Sequence, residues 1–93
     1  MEKLNSVIEN ILIDLGYENL YYSGILRKNW QDIVGELIAK VSTPDRIERD
    51  ILFIKCSNPA WKQELHFFKE EIKNNVNKFF NKEIVNDIKI FFG

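Results

Sequence analysis

Cysteine is nearly missing from this 93-residue chain: Cys56 is the only one, so no disulfide can form within it, and a reducing, cytoplasmic setting is the expectation. One cysteine and one histidine, His66, make half a tetrahedral zinc set without ligand spacing, so neither a metal nor another cofactor is expected. Two prolines and four glycines are too few for a fibrous or disordered chain, and 45% hydrophobic residues, with two Trp, three Tyr and seven Phe, are the composition of a globular protein. No apolar run approaches the roughly 18 residues of a membrane span. Met1-Glu2-Lys3-Leu4-Asn5 already carries charge and helical periodicity, unlike a secretory leader. A basic excess is absent as well: the formal net charge is −1, which argues against a protein held on nucleic acid by bulk electrostatics.

The charge is unevenly placed. Through Asp50 six Lys and Arg face nine Asp and Glu, whereas from Ile51 onward seven face five, so the second half is the basic one. Ile, Asn and Lys together make up thirty-three residues, as an AT-rich coding bias produces, and any single lysine is therefore a weak signal. A chain this short buries only somewhat more than roughly 60% of its unfolded surface, enough for one core. Residues 1–93 read as one domain without linker, repeat or low-complexity segment.

Leu4, Ile8, Ile11, Leu12 and Leu15 recur at three- and four-residue steps before Gly16, the pattern of a short amphipathic helix with a glycine stop. Leu26, Trp30, Ile33, Val34, Leu37, Ile38 and Val41 form the stripe of a longer helix that starts near Glu18, with an irregularity expected at Ser23-Gly24 and an end at Ser42-Thr43-Pro44. From Arg46 the period becomes two. Ile51, Phe53 and Lys55 point to one side of a strand and Leu52, Ile54 and Cys56 to the other, and a short partner over residues 46–48 turns back through Arg49-Asp50. Asn58-Pro59 opens a third helix, with a capping side chain before a proline that lacks an N–H where none is needed. Trp61, Leu65, Phe68, Ile72, Val76 and Phe79 run down one face of it to an exit at Asn81-Lys82. Residues 85–92 close the chain as a strand, with Ile88, Ile90 and Phe92 on one side and Asp87, Lys89 and Phe91 on the other.

The order α-α-β-β-α-β, with one apolar side per strand, points to an α+β fold in which a three-stranded mixed sheet carries its helices on one face. This layout resembles a KH-like fold of the kind with parallel as well as antiparallel pairing. No Gly-x-x-Gly occurs, however, so the phosphate clamp of KH domains is not carried over. Trp30-x-x-Ile33-Val34-Gly35, the hairpin, Ser57-x-Pro59-Ala60-Trp61-x-Gln63-Glu64-Leu65 and the closing strand, in that order, resemble the DciA-like domain family of bacterial replicative-helicase loaders or operators. The match runs through Trp30, Ile33, Val34, Gly35, Trp61, Glu64 and Leu65 over nearly the whole chain. The resemblance implies a KH-like adaptor that engages the replicative DNA helicase and, weakly, single-stranded DNA. Many family members append a basic, disordered tail, whereas this sequence ends at Phe91-Phe92-Gly93, so helicase contact is expected through the folded surface. The alternatives are a KH-like RNA-binding module and a homodimeric protein-interaction domain.

No enzymatic chemistry is expected. Cys56 falls on the inward side of a strand and His66 on the polar side of a helix, so they do not form a nucleophile–base pair, and Glu64, Glu70 and Glu71 read as a solvated face. Trp30 and Trp61 sit on apolar stripes, where core packing is the plain reading and a partner anchor the sharper one; Gly35 within its helix reads as a site of close packing. At 100° per residue Lys62, His66, Lys69 and Lys73 share one flank of the third helix, away from Glu64 and Glu71, and are the candidate nucleic-acid residues against an ordinary solvated flank. Phe53 and Phe91, beside Ile51, Lys55 and Lys89, lie on the open side of the sheet, where stacked bases are one reading and a protein or homodimer interface the preferred one.

Overall fold

The computed structural model describes residues 6–93, so Leu4 of the opening stripe lies outside the described residues. Helix α1 (Ser6–Asp14) ends where the glycine stop was expected. Gly16, at φ 82°, lets its own N–H reach the Ile13 carbonyl (3.0 Å) and the Tyr17 N–H reach that of Leu12 (2.8 Å), which closes the helix as a Schellman cap. The expected apolar stripe of α1 is only lightly used. Ile8, Ile11 and Leu15 remain 49%, 52% and 62% exposed.

The long second helix is two helices. Glu18–Val34 forms α2 and Glu36–Val41 forms α3, with Gly35 between them at φ 92° and ψ 162°. That backbone conformation is open almost only to glycine, and nothing lies within 4 Å of the Cβ that Gly35 lacks. The glycine therefore supplies a conformation, and the close-packing reading is corrected. The irregularity expected at Ser23-Gly24 is also displaced: Ser23 returns its hydroxyl to the Asn19 carbonyl (2.7 Å) inside regular helix, and the non-helical residue is Asn29, whose side chain donates to the Ile25 carbonyl at 2.9 Å. Beyond the break the stripe loses Leu37, which is 62% exposed.

Strand β1 (Ser42–Glu48) is longer than its expected 46–48 core, taking in Pro44 beside an irregularity between Pro44 and Arg46, as an edge strand can. It pairs antiparallel with β2 (Ile51–Cys56), and Arg49 and Asp50 both take positive φ (52° and 64°), the requirement of a two-residue type I′ turn. The third helix is also divided. Helix α4 (Pro59–His66) begins as expected, with the Asn58 Oδ1 accepting the Trp61 N–H at 3.0 Å, but the chain turns at Phe67-Phe68 before α5 (Lys69–Phe80). The core stripe is thus Leu65, Ile72, Val76 and Phe80, with Phe68 and Phe79 half-buried against it. Asn81 caps α5 in the left-handed conformation. Asn77 then fastens the following loop, accepting the Ile84 and Val85 N–H groups (both 3.0 Å) and donating to the Val85 carbonyl (2.9 Å).

Strand β3 (Asp87–Phe92) joins β2 in parallel, giving the sheet order β1-β2-β3 and the expected mixed, KH-like layout. Val85, placed in the strand by its alternation, is instead a fully buried residue of the preceding loop, and Phe92, expected inward, is 53% exposed at the strand end. Leu52, Ile54 and Cys56 from β2 and Ile88 and Ile90 from β3 meet Leu26, Leu65, Ile72 and Val76 from the helices in one core.

Candidate functional site

Three surfaces emerge from this frame. On the side of the sheet away from the core, strand register sets the outward residues in rows: Glu48, Ile51 and Asp87; Arg46, Phe53 and Lys89; Thr43, Lys55 and Phe91. The sequence-predicted Phe53 and Phe91, both half-buried, therefore share a face with the exposed Lys55 and Lys89. Phe53 is already engaged. The Arg46 guanidinium lies 4.1 Å from its ring centroid and is held there by Asp45 Oδ2 (2.6 Å) and Glu48 Oε2 (3.3 Å). Paired with two carboxylates, the guanidinium is a compensated charge and not a free phosphate ligand, and the hydrogen bond to Asp45 above all raises its already high pKa.

The second surface is the outer side of α4 and its junction with α5. Of the expected basic flank, Lys62 and His66 are exposed and Lys69 half-buried. The Lys73 ammonium is spent on Glu70, one turn earlier, at 3.2 Å. Because the helix breaks at Phe67-Phe68, the four residues do not lie on one continuous stripe. What the structure adds is Phe67, 79% exposed, which with Pro59, Lys62, Gln63 and His66 lines a groove of about 390 Å³. Sequence reasoning passed over Phe67 because it falls off the apolar stripe. That same displacement, an aromatic between His66 and Lys69 instead of among leucines, was the available signal.

The third surface is apolar. Ile11, Leu15, Tyr17 and Leu20 are all more than half exposed, Leu12 and Tyr21 lie beside them, and the only charges from Leu4 to Leu26 are Glu9, Asp14 and Glu18.

The two tryptophans part company. Trp30 is 5% exposed, and its Nε1–H donates to the Ser42 hydroxyl (3.1 Å), which donates to the Ile38 carbonyl (2.6 Å), so it ties α2, α3 and β1 together in the core and offers no edge to a partner. Trp61 is half-buried and stands outside the core cluster. Cys56 is wholly buried with its thiol on the Asn58 carbonyl (3.3 Å), apart from the exposed His66. Among the described residues no three His, Cys, Asp or Glu side chains are grouped to hold a metal, and no helix is long and apolar enough to cross a membrane.

Comparison with known proteins gives these surfaces a context. The family described as "Dna[CI] antecedent, DciA" matches residues 3–90. A UPF0232 protein of Corynebacterium glutamicum is 27% identical over 90 residues, 97% of this chain and 51% of its own length. UPF0232 proteins of Streptomyces avermitilis and Streptomyces coelicolor are each 27% identical over 89 residues, 94% of this chain and 49% and 47% of theirs. The chain spans about half the length of the curated relatives it matches. With nearly every element of the fold inside the matched residues, the chain belongs to the DciA family, a family related to helicase loading in DNA replication.

Proposed function

We propose that this domain is a non-enzymatic adaptor of bacterial DNA replication that engages the replicative helicase and weakly holds single-stranded DNA. The family match across residues 3–90 carries the reading, and the chemistry of the surfaces divides the roles. The sheet face combines aromatic and aliphatic side chains with an Arg46 paired to Asp45 and Glu48 and with exposed Lys55 and Lys89 at its rim, an aromatic patch with a charged surround that has the make-up of a protein contact. The helicase is accordingly assigned to Phe53 and Phe91, with Trp61 as a second anchor. Lys62 and Lys69, which have no acidic partner among the described residues, are assigned to the DNA backbone together with His66 and Lys73.

So few cations make DNA binding weak, salt-dependent and uniform across sequences. Helicase binding should be micromolar, since a small domain offers a limited interface against the lost translational and rotational freedom. Calorimetric titration of the domain into the helicase of the same organism tests this, with Phe53→Ala and Phe91→Ala expected to weaken the complex. No heat or complex at about 100 μM removes the helicase role. A homodimer is the second reading, favoured by the apolar side of α1 and α2; sedimentation that rises with concentration would support it.

A further inference from the structure

We propose that Phe67 at the α4–α5 junction is a stacking platform for an unpaired base, flanked by Lys62 and Lys69 as contacts to the adjoining phosphates. The proposal rests on the single-strand reading above and deepens it by naming the residue that meets the base.

An exposed phenylalanine alone carries little, because scattered apolar residues are normal on protein surfaces. Three observations lift Phe67 above that background. Among the described residues it is the most exposed large hydrophobic, at 79%, although its neighbour Phe68 is packed against the core, so the junction turns one ring inward and the other out. Its surroundings form a shallow groove lined by Pro59 and Gln63, two turns and one turn back on α4, and by Lys62 and His66. Side chains on a helix lean toward its N-terminus, so Phe67 shares this groove with the residues of the preceding turns and keeps its ring open to solvent. Lys62 and Lys69 are also free of acidic partners among the described residues, since Glu70, the acid beside Lys69 in sequence, is occupied by Lys73 at 3.2 Å.

The occupant follows from this charge and shape. A flat, one-sided aromatic with cations before and after it complements a base and its two phosphates, and any base has a π-face, so the contact is tolerant of sequence. A duplex hides its base faces and offers Phe67 nothing. On the sheet face Arg46 already covers Phe53 and is itself paired with Asp45 and Glu48, and Phe91, though it lies beside Lys55 and Lys89, is half-buried where Phe67 is 79% exposed, so Phe67 is the better platform. An acidic, aromatic-bearing peptide satisfies the same cations and is the competing occupant that the experiment must separate.

Anisotropy with a labelled oligo(dT), alongside one of the same length with abasic sites, is the test. Phe67→Ala should weaken oligo(dT) binding about tenfold, the usual size of one lost base–aromatic stack, and leave the salt dependence unchanged. Lys62→Glu with Lys69→Glu should instead flatten the salt dependence, by about 0.7 in slope per phosphate contact. The abasic strand should bind the parent as weakly as oligo(dT) binds Phe67→Ala, with no further loss when the two are combined. In a Trp61→Phe background, Phe67→Trp should restore affinity and its emission should be quenched by oligo(dT), with the buried Trp30 unaffected. If Phe67→Ala binds like the parent and the Phe67→Trp emission does not change, the platform is wrong while the single-strand reading stands. If the parent shows no salt-dependent binding to oligo(dT) at about 100 μM, both fall. If Phe67→Ala loses the helicase and keeps the DNA, the groove is a protein contact and the proposal is overturned.

Discussion

Gly35 and Gly24 both have open space where a Cβ would stand, yet they answer to different physics. At φ 92° and ψ 162° a side chain on Gly35 meets its own backbone, so Gly35→Ala should destabilise by on the order of 1–3 kcal/mol. Gly24 sits inside α2 with no such constraint, and Gly24→Ala should stabilise by about 0.5–1 kcal/mol through helix propensity and a less disordered unfolded chain. Thermal melts resolve both, since about 1 kcal/mol moves the midpoint of a domain this size by roughly 4–8 °C. A lowered midpoint for Gly35→Ala beside a raised one for Gly24→Ala would confirm that the break between α2 and α3 is imposed at this one residue, and a neutral Gly35→Ala would contradict it.

At the scale of elements, the β1–β2 turn is built from Arg49 and Asp50 where Asn-Gly is preferred, and each holds a left-handed conformation without being glycine. Asp50→Gly should therefore raise stability by about 1 kcal/mol in urea titration while keeping the 2.7 Å bond from the Asn86 N–H, which uses only the Asp50 carbonyl. Residue pattern made the strands and the caps legible, because alternation along Leu52, Ile54 and Cys56 repeats with the pleat and Gly16 and Asn58-Pro59 act locally. Of the two helix breaks, the one at Gly35 had its glycine in plain sight, misread as a packing site, while the other was not legible. Phe67-Phe68 contains neither proline nor glycine, and the turn there answers to tertiary demand: α4 packs on β3 and β2 while α5 must also meet α2. The candidate site was half visible for the same reason. Lys62, His66 and Lys69 could be grouped by angle and Phe68 placed on the apolar stripe, but only the fold shows that Phe67, off that stripe, stands 79% exposed in a groove with Lys62 and His66.

Across the whole molecule, Glu9 of α1 joins Tyr22 of α2 to Lys82 beyond α5: the Tyr22 hydroxyl and the Lys82 ammonium (3.0 Å) both donate to Glu9 Oε2. The Tyr22 hydrogen bond first, and then Lys82, hold the Glu9 carboxyl below its ordinary pKa despite its burial, and the contacts with Tyr22 and Glu9 push Lys82 up to about 12. A depressed carboxyl pKa contributes stability that is complete above about pH 5 and is lost as pH falls through the folded-state value; the raised lysine contributes below about pH 10 and loses its share as pH climbs through about 12. Urea midpoints measured from pH 3 to 7 should therefore fall on the acid side, and Glu9→Gln should flatten that fall. An unchanged slope would remove Glu9 from the acid response.

The parallel pairing of β2 with β3 has a consequence in time. The β1–β2 hairpin closes over two residues, but Ile51 can meet Asp87 only after the whole of α4 and α5 has been threaded and laid down. Long loop closure precedes any reward from such a contact, so the sheet is completed late in folding. In stopped-flow experiments Ile88→Val should then speed unfolding and barely alter refolding, whereas Ile47→Val in the hairpin should slow refolding. The edge that β3 protects, the outer side of β2, is consequently the last backbone in the protein to be shielded from other chains.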